Sequence, residues 1–287
     1  LKPVGPEHPP QRPYPTSHDA PAVAGNKSLA DLLTLLGGHG PPTPEIREAA
    51  ARVALGHRRV TAGQPLVEMV MPAMAMYFVD TGTFKIARSD RDGYEQVLAF
   101  AGRGEALGYD ALCADQHPTS AIALEDSTVY VIPKSSLALI RRSVPAFELE
   151  LQRAACVALA RSNDLVDIMA AVSSEVRLAR FLLQLSRQMS TKGLSPRRFL
   201  LRMGRRDIAS MLGVALATVS RSFSALAAAR LLYVNDRDVE ILDIDALREY
   251  ARCTRKAMEE SVASGACRLD APLRADQGVH GVAGLQA

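Results

Sequence analysis

The sequence predicts an α+β chain with an N-terminal β-roll, a long helix suited to pairing, and a C-terminal winged helix-turn-helix. Three observations carry this expectation. Short β-rich runs with glycine corners fill residues 60–133, and apolar or small residues recur at alternating steps of four and three over 151–172. The stretch RRDIASMLGVALATVSRSF (205–223) has the steric pattern of two helices crossing at a tight turn.

Length and composition allow this. The 287 residues, 48% of them apolar, suffice for two ordinary domains, each with a core. No window of 18 uninterrupted apolar residues exists, so a membrane partner is not expected. The opening LKPVGPEHPPQRPYPTSHDA has no apolar run to serve as a secretory signal, and a cytoplasmic location is the expectation. Cys113, Cys156, Cys253 and Cys267 form no close Cys-x-x-Cys pair, which argues for reduced thiols and against a zinc ribbon or disulfide scaffold.

In chain order, residues 1–27 hold seven prolines and few aliphatics, a composition that cannot repay the entropy of ordering, and read as a disordered tail. SLADLLTLLGG reads as a short helix closed by glycine. TPEIREAAARVAL reads as a second, with Thr43 as cap and Pro44 at the first helical position. These open a roll domain spanning 28–143, whose strands include MYFVD, FKIAR, QVLAF and TVYVIP, with turns at Gly63, Gly82, Gly93 and Gly104. No catalytic motif lies in it.

Residues 144–172 then read as a dimerisation helix. Leu151, Ala155, Ala158, Ser162, Leu165, Met169 and Val172 form a three-heptad seam, the sequence form of two helices side by side, and a homodimer is its consequence. Alanines and Ser162 make the seam weak, which suits a switch. SSEVRLARFLLQLSRQMSTKG continues as an amphipathic helix with Leu178, Phe181, Leu182 and Leu185 on one face. It opens a winged-helix domain at 173–250, which ends in two short strands around an Asn-Asp turn and a last helix running to about Met258. Residues 251–287 are assigned to a C-terminal tail.

In the 205–223 stretch, counting from Arg205, a small residue falls fifth (Ala209), glycine ninth (Gly213) and a β-branched apolar residue fifteenth (Val219). The fifth lies where two helix backbones approach, the ninth leaves the first helix with positive φ, and the fifteenth plugs the shared core. Phe223 and Leu226 continue the buried face, which leaves Thr218, Ser220, Arg221 and Ser224 for other faces. The net charge of the chain is only +3, yet residues 197–230 carry seven arginines against Asp207 alone, giving +6 locally and −3 for the rest. An arginine fork matches guanine O6 and N7 in the major groove, and short hydroxyl side chains suit phosphate or thymine edges. Thr218, Ser220 and Arg221 supply that set near the start of the second helix. Arginines 197 to 206, Arg205 and Arg206 among them, are placed to attract duplex phosphates.

RRDIASMLGVALATVSRSFSALAAARLL, with the long helix and GEALGYDALCADQHPTSAIALEDSTVYVIP before it, resembles the CRP/FNR transcription regulators, the FNR branch in particular, over about residues 45–250. The resemblance implies a cyclic-nucleotide-binding-like, effector-sensing roll, a dimerisation helix, and a winged helix that binds promoter palindromes in double-stranded DNA and touches RNA polymerase. It makes Ser220 and Arg221 base readers and Thr218 a backbone contact. Ala217 stands where the family usually has an acidic residue that accepts from cytosine, so half-site preference at that base pair is expected to be relaxed or altered by roughly 1–3 kcal/mol. Gly204 and Arg230 replace a usual hydroxyl cap and a usual glycine.

The same resemblance places Gly108, Tyr109, Thr119 and Ser120 at the family's effector pocket. The glutamate and arginine that hold a cyclic nucleotide are absent there, so that ligand is disfavoured. An iron-sulfur cluster is disfavoured as well, because no cysteine precedes Cys113 and Tyr130 matches the family's ligand in the roll. Cys113 and His117, four apart, have a spacing compatible with haem or metal, but a loop pair is no metal motif and none is assigned. No neighbouring base or cysteine marks Cys113 or Cys156 as a redox thiol. The effector stays unknown, as do the target genes and the sign of regulation. No enzyme motif is present. The competing reading is a ligand-binding signalling module whose helix-turn-helix serves protein contacts.

Overall fold

The computed structural model describes residues 27–37, 42–90 and 92–252. The proline-rich tail up to residue 26, the C-terminal segment from residue 253, and with it Cys253 and Cys267, lie outside the described residues.

Strand β1 (Lys27–Ser28) leads into α1 (Leu29–Leu36), where the Ser28 hydroxyl accepts from the Asp31 amide and Gly37 closes the helix at φ 56°. Helix α2 (Pro44–Ala51) starts on the Thr43 hydroxyl with proline first, as its sequence predicts. The roll follows: β2 (Ala54–Val60), β3 (Pro65–Val67), β4 (Ala75–Thr81), β5 (Phe84–Ser89), β6 (Glu95–Ala101), β7 (Ala106–Leu107), a 3-10 turn at Tyr109–Leu112, β8 (Ser120–Ala123) and β9 (Ser127–Pro133). They form two antiparallel sheets, ordered β1-β2-β9-β4-β7 and β3-β8-β5-β6.

Alternation along the strands builds two separate cores. Val60, Val79, Phe84, Leu107, Ala123 and Val129 fill the space between the sheets. Met76, Phe78, Tyr130 and Ile132 point the other way, against Leu29 and Leu32 of α1, against α3 (Lys134–Ser143), and against Phe147 and Leu151 of α4 (Ala146–Met169). Four buried leucine- or phenylalanine-sized side chains in such a layer stabilise by several kcal/mol, at roughly 1.5–3 kcal/mol each.

The seam expected on the long helix divides. Leu151 is 3% exposed inside its own subunit, Leu165 is half-buried against the C-terminal core, and Ala155 is half-buried. Met169 is 38% exposed, with its methyl group against the Gly213 turn. Only Ala158, Ser162 and Val172 stand open without such contacts. The reason is the helix's surroundings: the roll and the C-terminal core both claim the side that carries Phe147, Leu151 and Ile168, and the opposite side is left to solvent.

The C-terminal unit comprises α5 (Ser174–Thr191), β10 (Arg198–Leu200), α6 (Arg205–Leu212), α7 (Leu216–Ala228), β11 (Leu232–Asn235), β12 (Asp238–Ile241) and α8 (Ile244–Ala251). Its three strands pair in the order β10-β12-β11. Asn235 pairs with Asp238, so the hairpin turns on Asp236 and Arg237 rather than on Asn-Asp, with Asp236 in the left-handed region. Within the described residues α8 is tracked to Ala251; the expected extension to Met258 lies beyond them.

Candidate nucleic-acid interface

Helices α6 and α7 meet at a bend of 97°, within the range of a helix-turn-helix. Each of the three spacing residues does its steric task. Ala209 and Val219 are buried in the shared core, and Gly213 ends α6 at φ 64°. The turn needs glycine for its backbone angle; a β-carbon at Gly213 would also lie 3.0 Å from the Met169 methyl carbon, the mobile end of a flexible side chain on α4. Gly204 does without a hydroxyl cap because its own amide donates to the Asp207 carboxylate at 3.0 Å.

Burial of Val219, Ser222, Phe223 and Leu226 turns the opposite face of α7 outward. That face presents Leu216, Ala217, Ser220, Arg221 and Ser224, with Thr218 half-buried at its edge. The Arg221 guanidinium donates to the Thr218 hydroxyl at 3.2 Å, which holds the fork along the helix surface near its start. Ser220 and Ser224 donate back to the carbonyls of Leu216 and Ser220, so their oxygens remain able to accept.

The arginines divide by role. Arg206 and Arg221 are exposed. Arg198 is committed to Asp238 by two contacts of 3.3 and 2.6 Å, and Arg202 reaches Glu125 of the roll at 3.1 Å. Arg205, expected as a phosphate contact, serves the scaffold instead: its guanidinium lies 3.5 Å from the centre of the Phe223 ring and donates to the Asp236 carbonyl at 2.8 Å. Burial weakens the basicity of Arg205. One arginine thus ties α6, α7 and the wing turn together. Pattern reading had no signal for this, since it depends on a ring eighteen residues away.

A second relationship escaped the sequence. The Ser210 hydroxyl on α6 accepts from the Val97 amide at 2.8 Å and donates to the Glu95 carbonyl at 2.6 Å, standing in for a neighbouring strand on the edge of β6. Beside it the Lys85 ammonium lies between Glu95 at 2.5 Å and Asp207 at 3.2 Å. Burial alone would depress this lysine; hydrogen bonding to Glu95 and attraction to Asp207 outweigh it and hold its pKa above the ordinary value. Ala87, Val97 and Phe100 of the roll enter the same apolar cluster as Phe181, Ile208 and Met211. The roll and the reading unit are joined by packed contacts.

The effector-pocket positions are engaged within the scaffold. The Tyr109 hydroxyl donates to the Leu151 carbonyl of α4 at 2.7 Å, and Ser120 accepts from the Met69 amide at 2.9 Å. Thr119 is half-buried, and Gly108 sits at φ 63°, where a β-carbon would crowd the Ala75 carbonyl and the His117 ring. His117 is itself buried, with Nδ1 2.5 Å from Asp110, while Cys113 is exposed. Tyr130 packs edge-on against His57 in the outer core, and burial pushes its phenol up to about 12. Tyr109 and Thr119 carry no charge, and the Tyr109 and Ser120 hydroxyls are both already bonded within the protein. Among the described residues no cluster of three or more His, Cys, Asp or Glu side chains is set to hold a metal.

A β-roll joined by a long helix to a winged helix-turn-helix is the architecture of a DNA-binding protein. Residues 57–143 match the cyclic nucleotide-binding domain family, and residues 176–250 match the Crp-like helix-turn-helix domain family. The chain is 36% identical over 191 residues to the transcriptional regulatory protein btr of Bordetella pertussis, covering 67% of this chain and 79% of that protein. It is 31% identical over 196 residues to the fumarate and nitrate reduction regulatory protein of Escherichia coli, with 68% and 78% covered. The chain belongs to the CRP/FNR family of transcriptional regulators.

Solved structures agree at the level of fold. FixK2 from Bradyrhizobium japonicum superposes with a TM-score of 0.62 at 24% identity, covering 70% of this chain and 98% of that one. A CooA variant from Carboxydothermus hydrogenoformans gives 0.60 at 21%, covering 78% and 96%. Among the described residues no single helix is long and apolar enough to cross a membrane.

Proposed function

We propose that this regulator binds palindromic promoter sites in double-stranded DNA as a homodimer in the cytoplasm, with α7 in the major groove, and that it acts on RNA polymerase from there. The observation that carries this reading is the outer face of α7. Arg221, braced by Thr218, stands among Ser220, Ser224 and Ala217 near the start of the helix, the part that meets base edges. Arg221 reads a guanine, Ser220 a neighbouring base edge, and Thr218 and Arg206 the phosphates. One such unit contacts few base pairs, so two copies spaced one helical turn apart supply the specificity.

Fluorescence anisotropy on a palindromic fragment tests this. Affinity falls steeply with salt, and Arg221→Ala flattens discrimination at one base pair of each half-site. An unbiased selection that enriches no DNA motif favours a role of the helix-turn-helix in protein contacts instead.

A further inference from the structure

Four of the nine methionines fall within residues 69–76, and they have different surroundings. Met76 is sealed in the core under α1, and Met74 is 70% exposed. Met69 and Met71 are half-buried on either side of Val70, at a β-bulge. The Val70 amide donates to the His117 carbonyl at 2.8 Å and the His117 amide to the Met71 carbonyl at 3.0 Å, so two residues oppose one. Val70 holds φ 71° at the place where such a bulge ordinarily has glycine. Its side chain is 59% exposed, so packing repays little of that strain. The bulge sets Met71 opposite His117, where cross-strand side chains share a face with β-carbons about 5 Å apart. Met69 is fastened close by, its amide donating to the Ser120 hydroxyl at 2.9 Å.

The His117 ring is oriented for a ligand. The residue is only 5% exposed, and Nδ1 lies 2.5 Å from the Asp110 carboxylate. An ionised carboxylate only accepts, so Nδ1 donates and the neutral ring carries its lone pair on Nε2. Among the described residues that nitrogen has no hydrogen-bond partner. A carboxylate behind one ring nitrogen is the arrangement that turns the other toward a metal.

We propose that His117 Nε2, Met71 and Met69 form a binding site for a soft monovalent metal ion, copper(I). Neutral thioethers suit copper(I), and imidazole suits copper as well. With neither thiolate nor carboxylate among the ligands, no charge favours a dication. The sequence spacing pairs His117 with Cys113; the backbone ladder gives it Met71 instead, and Cys113 is exposed at the end of the Tyr109–Leu112 turn. Asp110 is a positioning residue, orienting the ring without touching the ion. It belongs to the turn whose Tyr109 hydroxyl is tied to α4 at the Leu151 carbonyl, so an ion at His117 bears on that tie.

The test uses the full chain, reduced and free of oxygen, with copper(I) supplied on the coloured chelator bathocuproine disulfonate. Transfer to the protein bleaches the chelator and is expected to reach one ion per chain. Met71→Leu and Met69→Leu keep side-chain volume and hence folding, checked by the thermal midpoint. Each weakens uptake by about tenfold or more, and Asp110→Asn by about ten- to a hundredfold. Copper K-edge absorption shows sulfur and nitrogen neighbours, with less sulfur in Met71→Leu. Cys113→Ser retains full uptake, and equimolar zinc(II) does not displace the ion.

A chain that takes no copper from the chelator, or takes it equally well in both methionine variants, overturns the site. Loss of uptake in Cys113→Ser, or displacement by zinc(II), overturns it as well. The readout is metal uptake alone, so none of these results bears on DNA binding.

Discussion

The Arg205 guanidinium carbon lies over the Phe223 ring, 3.5 Å from its centre, so a charge in the most basic part of the chain is spent on holding two helices together. The contact is desolvated on one side and continued by the bond to the Asp236 carbonyl on the other. Such a stack and a charged hydrogen bond are each worth on the order of 2 kcal/mol. Arg205→Ala is expected to destabilise the reading unit by about 2–3 kcal/mol in denaturant unfolding, with DNA affinity falling alike for every sequence. A loss confined to particular base pairs would put this side chain on the DNA instead.

On the proposed reading, Arg221 and Arg206 separate the two parts of recognition. Removing the Arg221 fork costs about 1–3 kcal/mol at one base pair and flattens specificity there. Arg206→Ala weakens binding to all sites and lowers the slope of log affinity against log salt by about 1. Paired salt titrations on matched and single-mismatch duplexes check both.

Ala217 is exposed on the same face, one turn from Arg221. Placed against a base edge as proposed, a carboxylate there accepts from cytosine N4, which alanine cannot do. Ala217→Glu is expected to add a preference for cytosine at one position of each half-site, worth about 1–3 kcal/mol, read by sequencing DNA selected by the variant. An unchanged selected motif would show that this end of α7 does not reach the bases.

Lys85 gives the roll–reader junction a pH dependence whose sign follows from its partners. Because Glu95 and Asp207 raise its pKa in the folded state, its contribution is complete below the unfolded-state value and disappears as pH rises through the folded one. Amide exchange in α6, compared with a Lys85→Met variant at each pH, should accelerate only on the alkaline side of the ordinary lysine range. Acceleration between neutral pH and mild alkalinity would mean another group governs the joint.

Arg230 follows α7 at φ 56°, a conformation glycine adopts freely and arginine at a cost of roughly 1–2 kcal/mol. Arg230→Gly should stabilise the chain by up to about 1 kcal/mol after glycine's own entropic cost, seen as a higher midpoint of thermal unfolding.

Local steric demands were legible in the sequence. Ala209, Gly213 and Val219 announced the helix-turn-helix because each requirement acts within one turn of chain, and Thr43 and Pro44 announced α2 for the same reason. The seam expected on α4 was only partly legible: alternating four-and-three spacing places Leu151 and Leu165 on it, and only the positions of the two cores show that both are packed within their own subunit. Ser210 was invisible for a similar cause: its partners lie more than a hundred residues away on a strand edge. The outward placing of Arg221 was legible from the helical period of the buried residues around it, whereas Arg205 acquired its task from Phe223 and the wing.

Strand β6 is the last of its sheet, and the Ser210 hydroxyl covers part of its open rim. An uncovered rim of that kind invites any stray extended segment to add itself as one more strand. Swinging the reading head away from the roll therefore bares an adhesive border as well as breaking hydrogen bonds, and every alternative posture of this regulator has to shelter that border by other means or risk clumping.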